Sequence, residues 1–136
     1  MRIAAHAIII TTGVVGLIGS ALAADMTGAD IKAFLSGKTI YLESTAASAG
    51  GVAGNSVIYW SADGTALYKT PSGTIMHGTW QIKDNTNCTE WKERPGTGCV
   101  RYDKMGDVVT VIDVKSGATR AKIVKTAPGN AEKLAP

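Results

Sequence analysis

The sequence predicts an all-β protein, a small antiparallel up-and-down meander barrel of about eight strands preceded by one short N-terminal helix. Two observations carry this. From Thr39 onward, short β-rich runs are separated by clusters of Gly, Pro, Asp, Asn and Ser. Most of those separators are far too short for a parallel crossover, which needs about a dozen or more residues, so neighbouring runs must pair antiparallel. Runs in hairpin order suit a closed barrel because closure removes exposed sheet edges. An open meander or a small sandwich is the competing architecture.

The composition agrees with one small globular domain. The 136 residues are 45% hydrophobic, 18% charged and 6% aromatic, with 16 glycines, which excludes a disordered tail, a coiled coil and a collagen-like repeat. A formal net charge of +3, scattered along the chain, excludes a nucleic-acid-binding face.

Arg2 supplies a positive start, Ile3 to Leu22 is apolar or small, and Ala21-Leu22-Ala23 is an A-x-A site of the kind a signal peptidase cleaves. Residues 1–23 therefore read as a signal peptide and residues 24–136 as a single β-barrel domain. A run of about 20 apolar residues could also span a bilayer as a permanent anchor. The small-residue site, followed by Asp25 and Asp30, favours cleavage, and no second apolar run of spanning length occurs. The expected product is soluble, periplasmic or secreted, with no stable membrane anchor. No Cys lies near the cleavage site, which closes the lipoprotein route.

Export places Cys88 and Cys99 in an oxidising compartment, where an even pair reads first as a disulfide. Zinc held by Cys88, Cys99 and His77, the only histidine after residue 23, would need further ligands of this type, so no metal is expected.

Thr27-Gly28-Ala29-Asp30 is a capping-box-like helix start, and Ile31, Phe34 and Leu35 follow at helical spacing before Gly37. The β-rich runs are Thr39–Ser44, Ser56–Ser61, Thr65–Lys69, Thr74–Lys83, Cys88–Glu93, Cys99–Asp103, Val108–Asp113 and Ala118–Lys125. The one long connection, Thr45–Asn55, is rich in Ala, Gly and Ser and reads as a mobile loop.

Alternation assigns faces. Met76, Gly78, Trp80 and Ile82 are expected inside, with His77, Thr79, Gln81 and Lys83 outside. Thr119, Ala121 and Ile123 are expected inside, and Arg120 and Lys122 outside. If Cys88 opposes Cys99, the bridge shares the outer wall with Glu90, Arg101 and Asp103, leaving Trp91, Val100 and Tyr102 inside.

No catalytic constellation is legible: there is no G-x-S-x-G, no paired Cys and His and no H-E-x-x-H. His77 lacks a second group positioned by spacing and reads as a solvated strand histidine. Glu90 and Glu93, with Lys92 and Arg94, read as a mixed-charge hairpin tip rather than an acid/base pair. Asp103-Lys104-Met105-Gly106-Asp107 lacks the alternating oxygen ligands of a calcium loop and reads as a plain turn. Asn87-Cys88-Thr89 fits a glycosylation sequon, idle beside a disulfide in a bacterial-looking export. Among the aromatic residues, Trp60, Trp80, Trp91 and Tyr102 either fill the barrel as core or face a ligand in a pocket. The short chain favours core.

Leu35-Ser36-Gly37-Lys38-Thr39, Tyr59-Trp60-Ser61-Ala62-Asp63-Gly64-Thr65, Gly78-Thr79-Trp80-Gln81-Ile82, Cys88-Thr89-Glu90-Trp91, Cys99-Val100-Arg101-Tyr102 and Gly129-Asn130 form a series. It resembles a group of small exported alphaproteobacterial domains of unknown function. The resemblance spans most of the chain after residue 23 and implies a lipocalin-like (calycin-like) β-barrel with no established activity, cofactor or site residue. Lipocalins proper carry a G-x-W motif on the first strand, whereas Gly78-Thr79-Trp80 falls on the fourth run here.

The expected function is a non-enzymatic binding protein for a small apolar molecule or an envelope component. Its site would lie at a barrel mouth bordered by Thr45–Asn55 and the helix. No cofactor and no nucleic-acid partner are expected. The alternative is a protein-binding inhibitor of a protease or lysozyme that inserts the Lys92–Gly98 hairpin or the N-terminal arm. The volume inside the barrel discriminates: a filled interior favours surface recognition, and an open apolar cavity favours a ligand.

Overall fold

A computed structural model describes residues 22–45 and 53–136. The signal-peptide reading lies almost entirely outside the described residues, as does most of the Thr45–Asn55 loop. In chain order the elements are β1 (Ala24–Asp25), α1 (Gly28–Leu35), β2 (Lys38–Ser44), β3 (Gly54–Trp60), β4 (Thr65–Lys69), β5 (Ile75–Lys83), β6 (Thr86–Trp91), β7 (Arg94–Met105), β8 (Val108–Asp113) and β9 (Thr119–Pro128). Each strand from β2 to β8 pairs antiparallel with the next, and β9 pairs back onto β2, from Lys38 opposite Pro128 to Glu43 opposite Lys122. The result is the closed eight-strand barrel expected from the sequence. Gly78-Thr79-Trp80 lies on β5, the fourth strand of that barrel.

Strand β1 went unread because two residues carry no periodicity. It continues the edge of β7 past the end of β6, with Ala24 opposite Lys104 and Asp25 opposite Asp103. The Arg101 guanidinium ties both Asp25 and Asp103 to the outer wall.

Helix α1 starts where the capping box places it. Thr27 Oγ1 accepts from the Asp30 N–H (3.2 Å) and donates to the Asp30 carboxylate (2.7 Å). Ile31 and Leu35 are fully buried, so the helix stoppers one end of the barrel. Its first turn lies so close to the β5–β6 turn that a Cβ on Gly28 would stand 2.2 Å from the Asp84 carbonyl oxygen. The Gly28 N–H donates to Asn85 Oδ1 at 2.9 Å. At the same end, Thr39 Oγ1 donates to the Gly129 carbonyl and accepts from the Ala131 N–H, fastening the chain after β9.

Three boundaries differ from the sequence expectation. Residues 54 and 55 belong to β3 rather than to the loop. The turn before β6 is shorter than expected, and Thr86 and Asn87 pair with Lys83 and Ile82. Pro95 to Gly98, expected as a turn, lies inside β7. The β6–β7 turn is Lys92-Glu93 alone, with Trp91 opposite Arg94, and the surplus residues are absorbed as an irregularity before Glu90 pairs with Thr97.

Candidate functional site

The strand directions give the barrel two unlike ends. The end reached by Lys38, Trp60, Lys83 and Met105 carries the helix and is closed. The other, reached by Ser44, Lys69, Trp91 and Asp113, opens into a cavity of about 330 Å³. The helix therefore does not border the mouth, as the sequence suggested; it closes the far end, because only a tight turn through Gly37 separates Leu35 from β2.

Apolar inward positions build the wall: Ile40 and Leu42 from β2, Ile58 and Trp60 from β3, Val100 from β7, Val111 from β8, and Ala121 and Ile123 from β9. The rim is polar and irregular, formed by Ser44, Ser56, Thr70, Pro71, Arg94 to Gly98 and Arg120.

The four candidate aromatic residues divide. Trp60, Trp91 and Tyr102 line the cavity, whereas Trp80 does not. Trp80 is buried beside Trp60, edge to face at 5.6 Å between centroids, and its indole N–H donates to the Ser61 carbonyl at 2.9 Å. Trp91 is only half-buried and leans on Tyr68 (5.6 Å) and Trp60 (6.4 Å). It can lie flat in the wall because its partner across the ladder is Gly78; a Cβ there would stand 2.6 Å from Trp91 Cε3. Tyr102 is fully inside, its hydroxyl accepting from Asn87 Nδ2 at 3.3 Å, and burial pushes its phenol up to about 12. Asn87 is completely buried, which removes it from glycosylation, and its Oδ1 has no hydrogen-bond partner among the described residues.

Arg120 departs from the sequence reading. The β8–β9 register shifts between Val111, opposite Ala121, and Ile112, opposite Thr119, so Arg120 is the unpaired residue of a bulge. The alternation is broken there: Thr119 is exposed and Arg120 lines the cavity. Its Nη2 donates to Asp113 Oδ1 at 2.6 Å, while Asp113 Oδ2 accepts from the backbone N–H and the hydroxyl of Ser116, each at 2.8 Å. These Ser116 hydrogen bonds, with the Arg120 charge, hold the Asp113 carboxyl below the usual carboxylate range. Arg120 Nε is buried and has no partner among the described residues.

Sequence spacing also missed the partner of His77. Glu93 Oε2 accepts from the His77 backbone N–H at 2.9 Å and Oε1 lies 2.7 Å from His77 Nδ1. This bond to His77 holds the Glu93 carboxyl low. With the Lys92 N–H donating to the His77 carbonyl (2.8 Å), the pair clamps the β6–β7 turn to the outside of β5. Glu90 has a different partner, accepting from the Thr97 hydroxyl at 2.7 Å. Asp103 to Asp107 spans the β7–β8 turn, with Gly106 at φ 59°.

Cys88 and Cys99 stand opposite each other on β6 and β7 and are bonded through their sulfurs at 2.07 Å. Such a bridge is compatible with an oxidising compartment. Among the described residues, no three His, Cys, Asp or Glu side chains gather as metal ligands. No family model, no curated protein and no solved structure matches this chain.

Proposed function

We propose that the protein is exported to the periplasm or beyond the cell and acts there as a non-enzymatic carrier or receptor of a small apolar molecule held in the open end of its lipocalin-like barrel. The observation that carries this reading is the cavity. Its volume of about 330 Å³ falls at the lower end of the roughly 300–1,000 Å³ typical of small-molecule sites. Its lining is mostly apolar, and the rim supplies a few polar groups. A protein-binding inhibitor needs no such interior, and the short β6–β7 turn, fastened to His77, offers little to insert into a target.

The test is titration of the folded, disulfide-bonded protein with a neutral aromatic probe such as N-phenyl-1-naphthylamine, followed through quenching of Trp60 and Trp91. Saturable one-to-one quenching, lost when Ala121→Phe fills the cavity, is expected. Absence of binding, or an unchanged affinity in Ala121→Phe, contradicts the reading.

A further inference from the structure

Resting on that reading, we infer that the ligand is an amphipath with an anionic head, bound tail-inward with its head at the rim between Arg120 and Arg94. The charges that line the cavity are of one sign. Arg94 and Arg120 are there, and among the described residues no Asp or Glu shares the lining. An apolar chamber whose charged lining, among the described residues, is cationic discriminates for a ligand that ends in negative charge.

The two arginines are differently prepared. Arg120 is fixed: the bulge turns it to the cavity side, and Asp113, itself held by Ser116, grips one terminal nitrogen. That leaves the other terminal nitrogen, on a side chain 39% exposed, as a donor to an acceptor arriving in the cavity. Asp113 neutralises part of the Arg120 charge, and Arg94, exposed at the start of β7 with its side chain in none of the ion pairs found among the described residues, supplies the remainder. Planar guanidinium forks suit a carboxylate in particular.

The volume limits the tail. About 330 Å³ corresponds to roughly eleven water-sized volumes, which suits a medium-chain acid of about eight to twelve carbons and excludes a two-chain lipid from complete enclosure.

The experiment compares straight-chain carboxylates of about eight, ten and twelve carbons with the alcohols of equal length, titrated into the oxidised protein at low and high salt. The carboxylate is expected to bind about tenfold or more tightly than its alcohol at low salt, with the margin shrinking at high salt. Arg94→Gln, a change at an exposed side chain, is expected to reduce that margin severalfold by weakening the carboxylate more than the alcohol. The pair Asp113→Asn with Arg120→Gln, which removes both charges together, is expected to abolish the rest. Alcohols binding as tightly as acids, or a margin untouched in both variants, would overturn the inference while the cavity reading stands. Binding of neither series overturns both.

Discussion

Gly78 and Trp91 face each other across the β5–β6 ladder, and the indole occupies the space a Cβ at position 78 would need. The missing side chain thus sets the wall of the cavity. Gly78→Ala forces a backbone oxygen of Glu90 and the Trp91 ring to move, and is expected to cost about 1–3 kcal/mol by overpacking. Urea unfolding followed by tryptophan fluorescence reads both effects, the loss of stability and a changed native emission from the displaced ring.

Trp80 and Trp91 have different duties despite similar places in the strand pattern. Trp80→Ala removes a buried ring and its bond to Ser61, at a cost of about 3–5 kcal/mol. Trp91→Ala removes a half-buried ring from the cavity wall, at roughly 1–2 kcal/mol. Thermal melts should rank the two in that order, and only Trp91→Ala, among variants still folded, should weaken ligand binding out of proportion to stability.

How far the residues announced this arrangement depends on whether period-two alternation survives. Along β5 it does, and Met76, Gly78 and Trp80 are buried while Thr79, Gln81 and Lys83 are exposed. At the start of β9 a single bulge adds one residue, and Arg120 changes face. Nothing in Ala118-Thr119-Arg120-Ala121 marks that bulge, so the most informative cation of the site was assigned to solvent. The His77–Glu93 contact was hidden for a related reason. It depends on the hairpin tip being Lys92-Glu93, whereas Pro95-Gly96-Thr97-Gly98 has the stronger turn composition. The helix cap, the disulfide register and barrel closure rest on local chemistry or on connection length, and these were legible. Interior volume is a property of how the walls are spaced, and no residue pattern encodes it.

The two buried acids of opposite behaviour give the protein a stability window. Asp113 has a lowered folded pKa, so its contribution is present above its unfolded value near 3.9 and disappears as pH falls through the folded one. Acid unfolding monitored by circular dichroism should therefore steepen below about pH 4, and the Asp113→Asn, Arg120→Gln pair should flatten that limb. Tyr102 is shifted up, from 10.0 to about 12, so it stays protonated when folded while the unfolded chain has already lost its proton. Stability is expected to fall from about pH 10 to about pH 12. Tyr102→Phe should remove this alkaline slope, although it costs about 1–3 kcal/mol at neutral pH by leaving the Asn87 amide unpaired.

Reduction of Cys88–Cys99, which spans a sequence separation of 11, should lower the unfolding free energy by about 3 kcal/mol. The barrel is expected to persist at neutral pH, because the β6–β7 ladder continues on both sides of the bridge from Asn87–Val100 to Glu90–Thr97. Paired denaturant titrations with and without reductant measure the difference directly.

The central claim is that the open end of this barrel holds a small molecule, and native mass spectrometry of the protein purified, still folded and oxidised, from the compartment of its own cell reads that occupancy directly. The expected spectrum shows the chain carrying one non-covalent small mass, released on mild activation and absent from Ala121→Phe. A spectrum of bare chain, or of chain joined to a protein partner with no small molecule, would contradict the account.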